Sequence, residues 1–375
     1  LMKIYVVARV IGGEYIFFER ISKYLNAELI FFVDENKNII EPNTISGRIF
    51  YISYKLLKKI FKSSNYPEYF LTQFYSYFYK LYDDINVFST AFAIPSKGRK
   101  IIFFQTTPRF YTIDYERNIE KLKGDRLKLI LFKLVKKIYE KFYKRSLKGS
   151  MMNISISNAV RDRLFKYYGI DSHVLYPSVN VNSYYNSGFE NYFLYVSRMH
   201  KAKRQDLAVR AFEIFYQKNK NFRLVLAFPM PDDLESIDYL NSIKKYIGEK
   251  RLPVEFRIGM KNDEIKKLYA GCYACLFCAR DEDFGLVPLE GMASYKPVIS
   301  VNEGGPKETI LDSITGFLVN DEKEMAEKME LLANNLDLAK RMGEAGRKHV
   351  EKNFDDKIFV EKFKKIVKEH LNIEL

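Results

Sequence analysis

The 375-residue chain has no tryptophan, three cysteines and four histidines. The cysteines, at 272, 275 and 278, lie too close together to build a disulfide framework, so a reducing, cytoplasmic location is expected. Their spacing superficially matches an iron–sulfur run, but no fourth cysteine exists to complete the ligand set. Tyr273–Cys278 is short and apolar and reads as a buried strand. Strand alternation then predicts three buried thiols, with Cys275 on the face opposite Cys272 and Cys278. The histidines are at 173, 200, 349 and 370, so the first 172 residues offer no imidazole to act as a general base. No uncharged apolar run reaches the ~18 residues that a membrane span needs. The opening Met2–Ala8 reads as a first strand rather than a signal peptide, because no small-residue cleavage site follows an apolar region.

What the chain does have is enough apolar residue, 47%, for sizeable cores, and length for two domains. Its net charge of +14 is uneven. Residues 1–190 hold 30 Lys+Arg against 17 Asp+Glu, a net of +13, and the remainder holds 31 against 30. A basic half beside a neutral half speaks of a partner rather than of the fold. Apolar strands alternate with helical patterns, which predicts an α/β protein built on parallel sheets. Candidate strands are 3–8, 28–33, 47–52, 86–92, 101–105, 152–156 and 173–176. A second series follows at 193–197, 222–227, 254–258, 274–277 and 298–301. Tyr176–Gly188, rich in turn formers, reads as an interdomain linker.

The chemistry concentrates at Glu282-Asp-Phe-Gly-Leu-Val-Pro-Leu-Glu290. Pro288 suits the first turn of a helix, so a helix over 288–294 is expected, with Glu282 on the loop before it and Glu290 in its first turn. Both carboxylates then lie at a strand's carboxyl end, beside a helix N-terminus that favours an anion. Acids beside an anion site suit a ligand with phosphates and hydroxyl pairs, such as a nucleotide-sugar. Arg198 and Lys203 share the loop after strand 193–197, where a guanidinium and an ammonium suit a diphosphate.

The stretch from Glu282 through Phe284-Gly285, Glu290-Gly-Met-Ala293, Lys296-Pro-Val-Ile299 and Gly304-Gly305 to Gly316-Phe317 resembles the Glu-x7-Glu region of the family 4 retaining glycosyltransferases. The resemblance implies the GT-B fold, two Rossmann-like domains facing a cleft. Residues 1–178, with 357–375 crossing back, would bind the acceptor, and 179–356 the nucleotide-sugar. By the same resemblance Arg198 and Lys203 bind the donor pyrophosphate, Glu290 the ribose hydroxyls, and Glu282 the transferred sugar. Phe284, Gly285 and Leu286 would aim backbone N–H groups at sugar and phosphate, while Gly304-Gly305 shapes the pocket. Gly12-Gly13-Glu14 resembles the family's Gly-Gly-x-Glu loop, with a phosphate or sugar contact at the glycines and an acceptor contact at Glu14. Gln105-Thr-Thr-Pro-Arg109 resembles a segment that carries His-Thr-Pro-Pro-Arg in many relatives. Gln105 can orient a hydroxyl but cannot take up a proton, and Arg109 would meet the acceptor. The family needs no cofactor beyond its nucleoside-diphosphate sugar, UDP- or GDP-linked here. Asp281-Glu-Asp283 matches the Asp-x-Asp of metal-dependent GT-A enzymes, but it is embedded in the Glu-x7-Glu segment, and no metal is assigned.

The basic excess peaks at 121–150, with 11 basic and 2 acidic residues. Within it Leu127, Ile130, Leu131, Leu134, Val135, Ile138 and Phe142 form an apolar stripe at helical spacing. The ordinary reading is a core-facing helix with a solvated basic face. The rival is a surface that meets anionic lipid or a phosphorylated acceptor. Residues 50–88 add 14 Phe and Tyr, a lobe able to seat a sugar or lipid-linked acceptor. The expectation is a retaining, metal-independent transfer of a sugar to a glycan or lipid-linked acceptor, in the cytoplasm or at its membrane face. The alternatives are a nucleic-acid-modifying sugar transferase and a non-catalytic sugar- or membrane-binding relative.

Overall fold

The computed structural model describes residues 2–6, 13–31, 85–90, 100–147, 149–231 and 233–374. Two compact units emerge, Leu1–Tyr176 with Val360–Leu375, and Pro177–Phe359. In the first, β1 (Met2–Val6), β2 (Glu28–Phe31), β3 (Ile85–Thr90), β4 (Lys100–Phe104), β5 (Ser150–Ser155) and β6 (His173–Val174) form one parallel sheet. Its order is β2-β1-β3-β4-β5-β6. Every residue of β4, Lys-Ile-Ile-Phe-Phe, is buried, as a parallel strand covered on both faces requires. The helices are α1 (Gly13–Leu25), α2 (Tyr115–Leu122), α3 (Arg126–Leu147) and α4 (Asn158–Tyr168). Ser157 caps α4 by accepting from Val160 N at 3.1 Å, and Gly169, at φ 68°, ends it in the left-handed conformation that glycine adopts without cost. The expected strand at 47–52, most of the aromatic stretch 50–88, and Gly12 lie outside the described residues.

Helix α3 forms where its periodicity predicts, but its core face differs from the expected stripe. The side chains of Leu131 and Phe142 lie outside the described ones, and among those described Phe132, Tyr139, Tyr143 and Leu147 are buried. Their rings pack on Tyr111, Tyr115 and Tyr168, at centroid distances of 4.5 Å for Tyr143–Tyr168 and 4.8 Å for Tyr111–Tyr139. Leu127, Ile130, Leu134 and Ile138 are exposed instead, and Val135 is half-buried. Large aromatic rings bury more apolar area per residue than leucines, so the aromatic face wins the core.

In the second unit β7 (Tyr192–Val196), α5 (Gln205–Tyr216), β8 (Arg223–Phe228), α6 (Leu234–Lys250), β9 (Val254–Ile258) and α7 (Asn262–Gly271) form one wing. The other comprises β10 (Ala274–Phe277), α8 (Leu286–Ala293), β11 (Val298–Val301), α9 (Pro306–Thr309), β12 (Gly316–Val319), α10 (Glu322–Ala333) and α11 (Leu336–Asn353). Helix α12 (Asp356–Leu371) ends the chain, and its His370 ring lies 3.9 Å from that of His173 within the first unit. The parallel sheet runs β12-β11-β10-β7-β8-β9, which in unit order is the doubly wound 3-2-1-4-5-6 arrangement. Strand order reverses between β7 and β10, which pair through Ala274↔Phe193 and Cys275↔Leu194. Strand β12 was not among the expected strands.

Two expectations need correction. The segment read as a linker is strapped onto the second unit. Buried Arg347 donates from Nη1 to Val181 O and Tyr184 O at 3.0 Å, and to Ala293 O at 2.7 Å. Lys296, fully buried, donates to Asn186 Oδ1 at 2.7 Å and to Gly188 O, its ammonium 3.9 Å over the Phe189 ring. The three thiols are indeed buried and free. Cys272, however, caps the end of α7 rather than lying on the strand, so alternation does not separate it from Cys275, and their sulfurs are 3.6 Å apart.

Candidate functional site

In a doubly wound sheet, the carboxyl ends of the two strands flanking the order reversal open a crevice that binds ligands. Here those strands are β7 and β10. The loop after β7 carries Arg198 and Lys203, and the loop after β10 carries Glu282.

The β7 loop is held from beneath. Gln205, buried at the start of α5, donates from Nε2 to Ser197 Oγ and to Arg198 O, both at 2.7 Å. Fully buried Tyr195 donates its hydroxyl to Lys203 O. His200 caps the 3-10 turn Lys201–Lys203 by accepting from Ala202 N at 3.1 Å, and its side chain is exposed. Arg204, at φ 50°, spans to the next loops, donating to Cys278 O at 2.7 Å and pairing with Glu303 at 2.8 Å. Arg280 N returns a bond to Ala202 O at 2.8 Å. These contacts fix the β7 and β10 loops as one body. Glu303 and Arg204 were not among the expected site residues; an ion pair between residues 99 positions apart leaves no local signal.

On this body Lys203 Nζ meets Glu282 Oε2 at 2.5 Å, each side chain 23% exposed. Arg198 is exposed, with no ion-pair partner among the described residues. The Glu282 backbone is clamped from its other side by the Gly304-Gly305 turn. Gly305 N donates to Glu282 O at 2.8 Å. A Cβ on Gly304 (φ 61°) would lie 2.3 Å from Glu282 O, and one on Gly305 would lie 2.3 Å from Phe284 Cα. Only glycine permits that approach.

Gly285, at φ 90°, precedes α8, which no side chain caps. The helix starts at Leu286, two residues before the expected Pro288, because the left-handed Gly285 already turns the chain into it. Glu290 therefore stands one full turn inside the helix rather than in its first turn. Uncapped N–H groups at Leu286 and Val287 and the helix dipole make this end attractive to an anion. Glu290 Oε2 accepts from the Tyr269 hydroxyl at 2.8 Å. Burial, reinforced by the Glu290 charge, pushes the Tyr269 phenol far above its ordinary value, so it stays protonated as a donor. Tyr269 had no sequence signal beyond its place on an apolar helix face.

In the first unit Gln105 follows β4 and is half-buried. Arg109 begins a 3-10 turn, with Nε 3.5 Å from Asp114. Gly13 and Glu14 open α1 rather than preceding it. Hollows of about 630 Å³ lie beside Ser150, Arg161 and His173 in the first unit, and beside Tyr184, Tyr295 and Arg347 in the second. Neither is lined by Arg198, Lys203, Glu282 or Glu290.

Residues 185–349, which hold this whole loop assembly, match the family model described as Glycosyl transferases group 1. Over this stretch the chain is similar to the group 1 glycosyltransferases. It is 28% identical over 285 residues to the alpha-1,3/1,6-mannosyltransferase ALG2 of Dictyostelium discoideum, covering 66% of this chain and 68% of that one. To the human ALG2 it is 30% identical over 238 residues, covering 58% and 57% of the two chains. The match thus spans little more than half of the human relative. Among solved structures, Anabaena Alr3699/HepE in complex with UDP and glucose superimposes with a TM-score of 0.71 at 15% identity, covering 97% of this chain and 98% of that one. At that identity the likeness concerns the fold, which is GT-B.

Proposed function

We propose that this glycosyltransferase moves a hexose, mannose in the first instance, from a nucleoside-diphosphate sugar to a glycan or lipid-linked acceptor, with retention and without a metal ion. The observation that carries this is the Lys203–Glu282 pair, drawn from the two loops at the order reversal of the second sheet. A donor needs both charges there, a cation for the diphosphate and an acid for sugar hydroxyls. The pair presents them side by side, each compensating the other until the ligand arrives. Arg198, exposed on the same loop, adds the second cation. Two cations on one loop would supply the charge stabilisation of a departing diphosphate that a divalent ion would otherwise give. The uncapped start of α8 contributes N–H donors to the same anion, and Glu290 takes the ribose diol.

The chemistry available supports the reading of retention. A front-face displacement lets the leaving phosphate accept the acceptor's proton, and no imidazole is needed from the histidine-free first 172 residues. The sugar is suggested by the mannosyltransferase relatives, and the base by neither. Gln105, Arg109 and Glu14 are assigned to the acceptor on their sequence resemblance.

The test is a thermal-shift panel of GDP-mannose, UDP-glucose, UDP-N-acetylglucosamine and dTDP-glucose, followed by transfer assays with the stabilising donor. One donor should raise the melting temperature, and Lys203→Ala should abolish that shift and lower turnover by about 100-fold, the scale of losing one charge-stabilising group. No stabilisation by any donor would overturn the reading. A β-linked product from an α-linked donor would overturn retention, and loss of turnover on chelation would overturn metal independence.

A further inference from the structure

Helix α3 carries two apolar faces. One is the buried aromatic face. The other, Leu127, Ile130, Leu134 and Ile138, is 77%, 56%, 53% and 45% exposed. Their spacing of three, four and four residues sets them in one row on the side opposite Phe132, Tyr139 and Tyr143. Four large aliphatic side chains lined up in water form a contiguous patch of the kind that marks an interaction surface.

The charge beside the row says what it meets. Arg126, Lys133, Lys137, Lys141 and Lys144 are exposed, and none has a carboxylate partner among the described residues. At 100° per residue all five project along one flank of the aliphatic row. A second copy of the chain fits this poorly, since a two-fold contact of α3 with itself would bring these cations no free carboxylate: the helix's one acid, Glu140, already pairs with Lys136. A polynucleotide would use the cations and leave the aliphatic row in water. A bilayer with anionic headgroups satisfies both, taking the aliphatic side chains into the acyl boundary and the cations among the headgroups. No described helix is long and apolar enough to cross a membrane, so the contact is interfacial.

We propose that the outer face of α3 docks the protein on an anionic phospholipid surface through Leu127, Ile130, Leu134 and Ile138, with the adjacent cations binding headgroups. The proposal is independent of the donor site, and it gives a lipid-linked acceptor a surface on which to meet the enzyme.

The test uses the full chain in vesicle flotation, with phosphatidylcholine alone or with about a third phosphatidylglycerol. Wild type should float with the anionic vesicles at least about tenfold more than with neutral ones. Leu127→Ser with Leu134→Ser should lower that partition about tenfold, and Lys133→Gln with Lys137→Gln and Lys141→Gln should erase the preference for anionic lipid. All five positions are exposed, so the melting temperature should not move. Equal flotation of wild type and the aliphatic variant would overturn the proposal. So would an aliphatic variant that turns a dimer into a monomer while lipid binding persists, which assigns the face to a second copy. Binding to polynucleotide that the lysine substitutions abolish and the serine substitutions spare, with no flotation, would assign the face to nucleic acid.

Discussion

Replacing Tyr269 by Phe removes one atom, a hydroxyl whose hydrogen bond among the described residues goes to Glu290. The ring is fully buried, so the substitution opens no water-sized void, and its hydroxyl lies 2.8 Å from Glu290 Oε2. A hydrogen bond to a charged acceptor is worth about 1.5–3 kcal/mol. Glu290 is half-buried, so water can replace part of the lost bond, and the lower end of that range applies, about 1.5 kcal/mol or roughly tenfold in affinity. If Glu290 binds the ribose diol, the loss falls on ligands that have both hydroxyls. The assay is calorimetric titration with the preferred nucleoside diphosphate and its 2′-deoxy analogue. Wild type should bind the ribonucleotide more tightly. Tyr269→Phe should weaken the ribonucleotide about tenfold, leave the deoxy analogue nearly unchanged, and raise KM far more than it lowers kcat. Equal weakening of both ligands would show that Tyr269 merely supports the fold. A wild type indifferent to the 2′-hydroxyl would remove Glu290 from the ribose altogether.

Two further outcomes follow from buried contacts. Gly305→Ala places a Cβ 2.3 Å from backbone at Phe284, which no rotamer change can relieve; unfolding in urea should show a loss of about 1–3 kcal/mol, and donor-induced stabilisation should disappear as the Glu282 loop shifts. Lys100, 2% exposed on β4, has its ammonium pKa lowered by burial from 10.5 to about 8. Between those values the unfolded chain binds more protons than the folded one, so stability should rise with pH across the window from about 8 to 10.5. Denaturation midpoints of wild type and Lys100→Met, compared from pH 7.5 to 10, should converge as pH rises; parallel curves would show that Lys100 stays charged in the fold.

How far the sequence carries the argument depends on how local each determinant is. Strands β9, β10 and β11 fall on the residues expected of them, because short apolar runs between turn formers are a local signal. The Glu282 loop was legible because its parts, two carboxylates, Phe-Gly and a Pro, are contiguous, and the Gly-Gly turn follows within about twenty residues. What clamps it was not. Arg204–Glu303 and Tyr269–Glu290 join side chains that only the fold brings together, and either could have been a solvated charge or a core ring. Pro288 predicts the start of α8 two residues late, because Gly285, whose φ of 90° does the turning, bears no mark of that conformation in the sequence. Lys296 and Arg347 show the same limit: read as sequence they are surface charges, yet both are buried against the carbonyls of a strap that looked like a free linker.

Helix α3 marks where periodicity alone misleads. Its pattern contains two apolar faces, one aliphatic and one aromatic, and hydrophobic spacing cannot say which of them the core takes. A globular core needs only one. The second is tolerated in water only at a cost in exposed apolar area, and the cations beside it, which have no carboxylate partner among the described residues, add charge repulsion. Neither feature helps this unit fold. Both become favourable against an anionic lipid surface, so the place where the sequence looks least economical as a folding unit is where it is best read as a binding one.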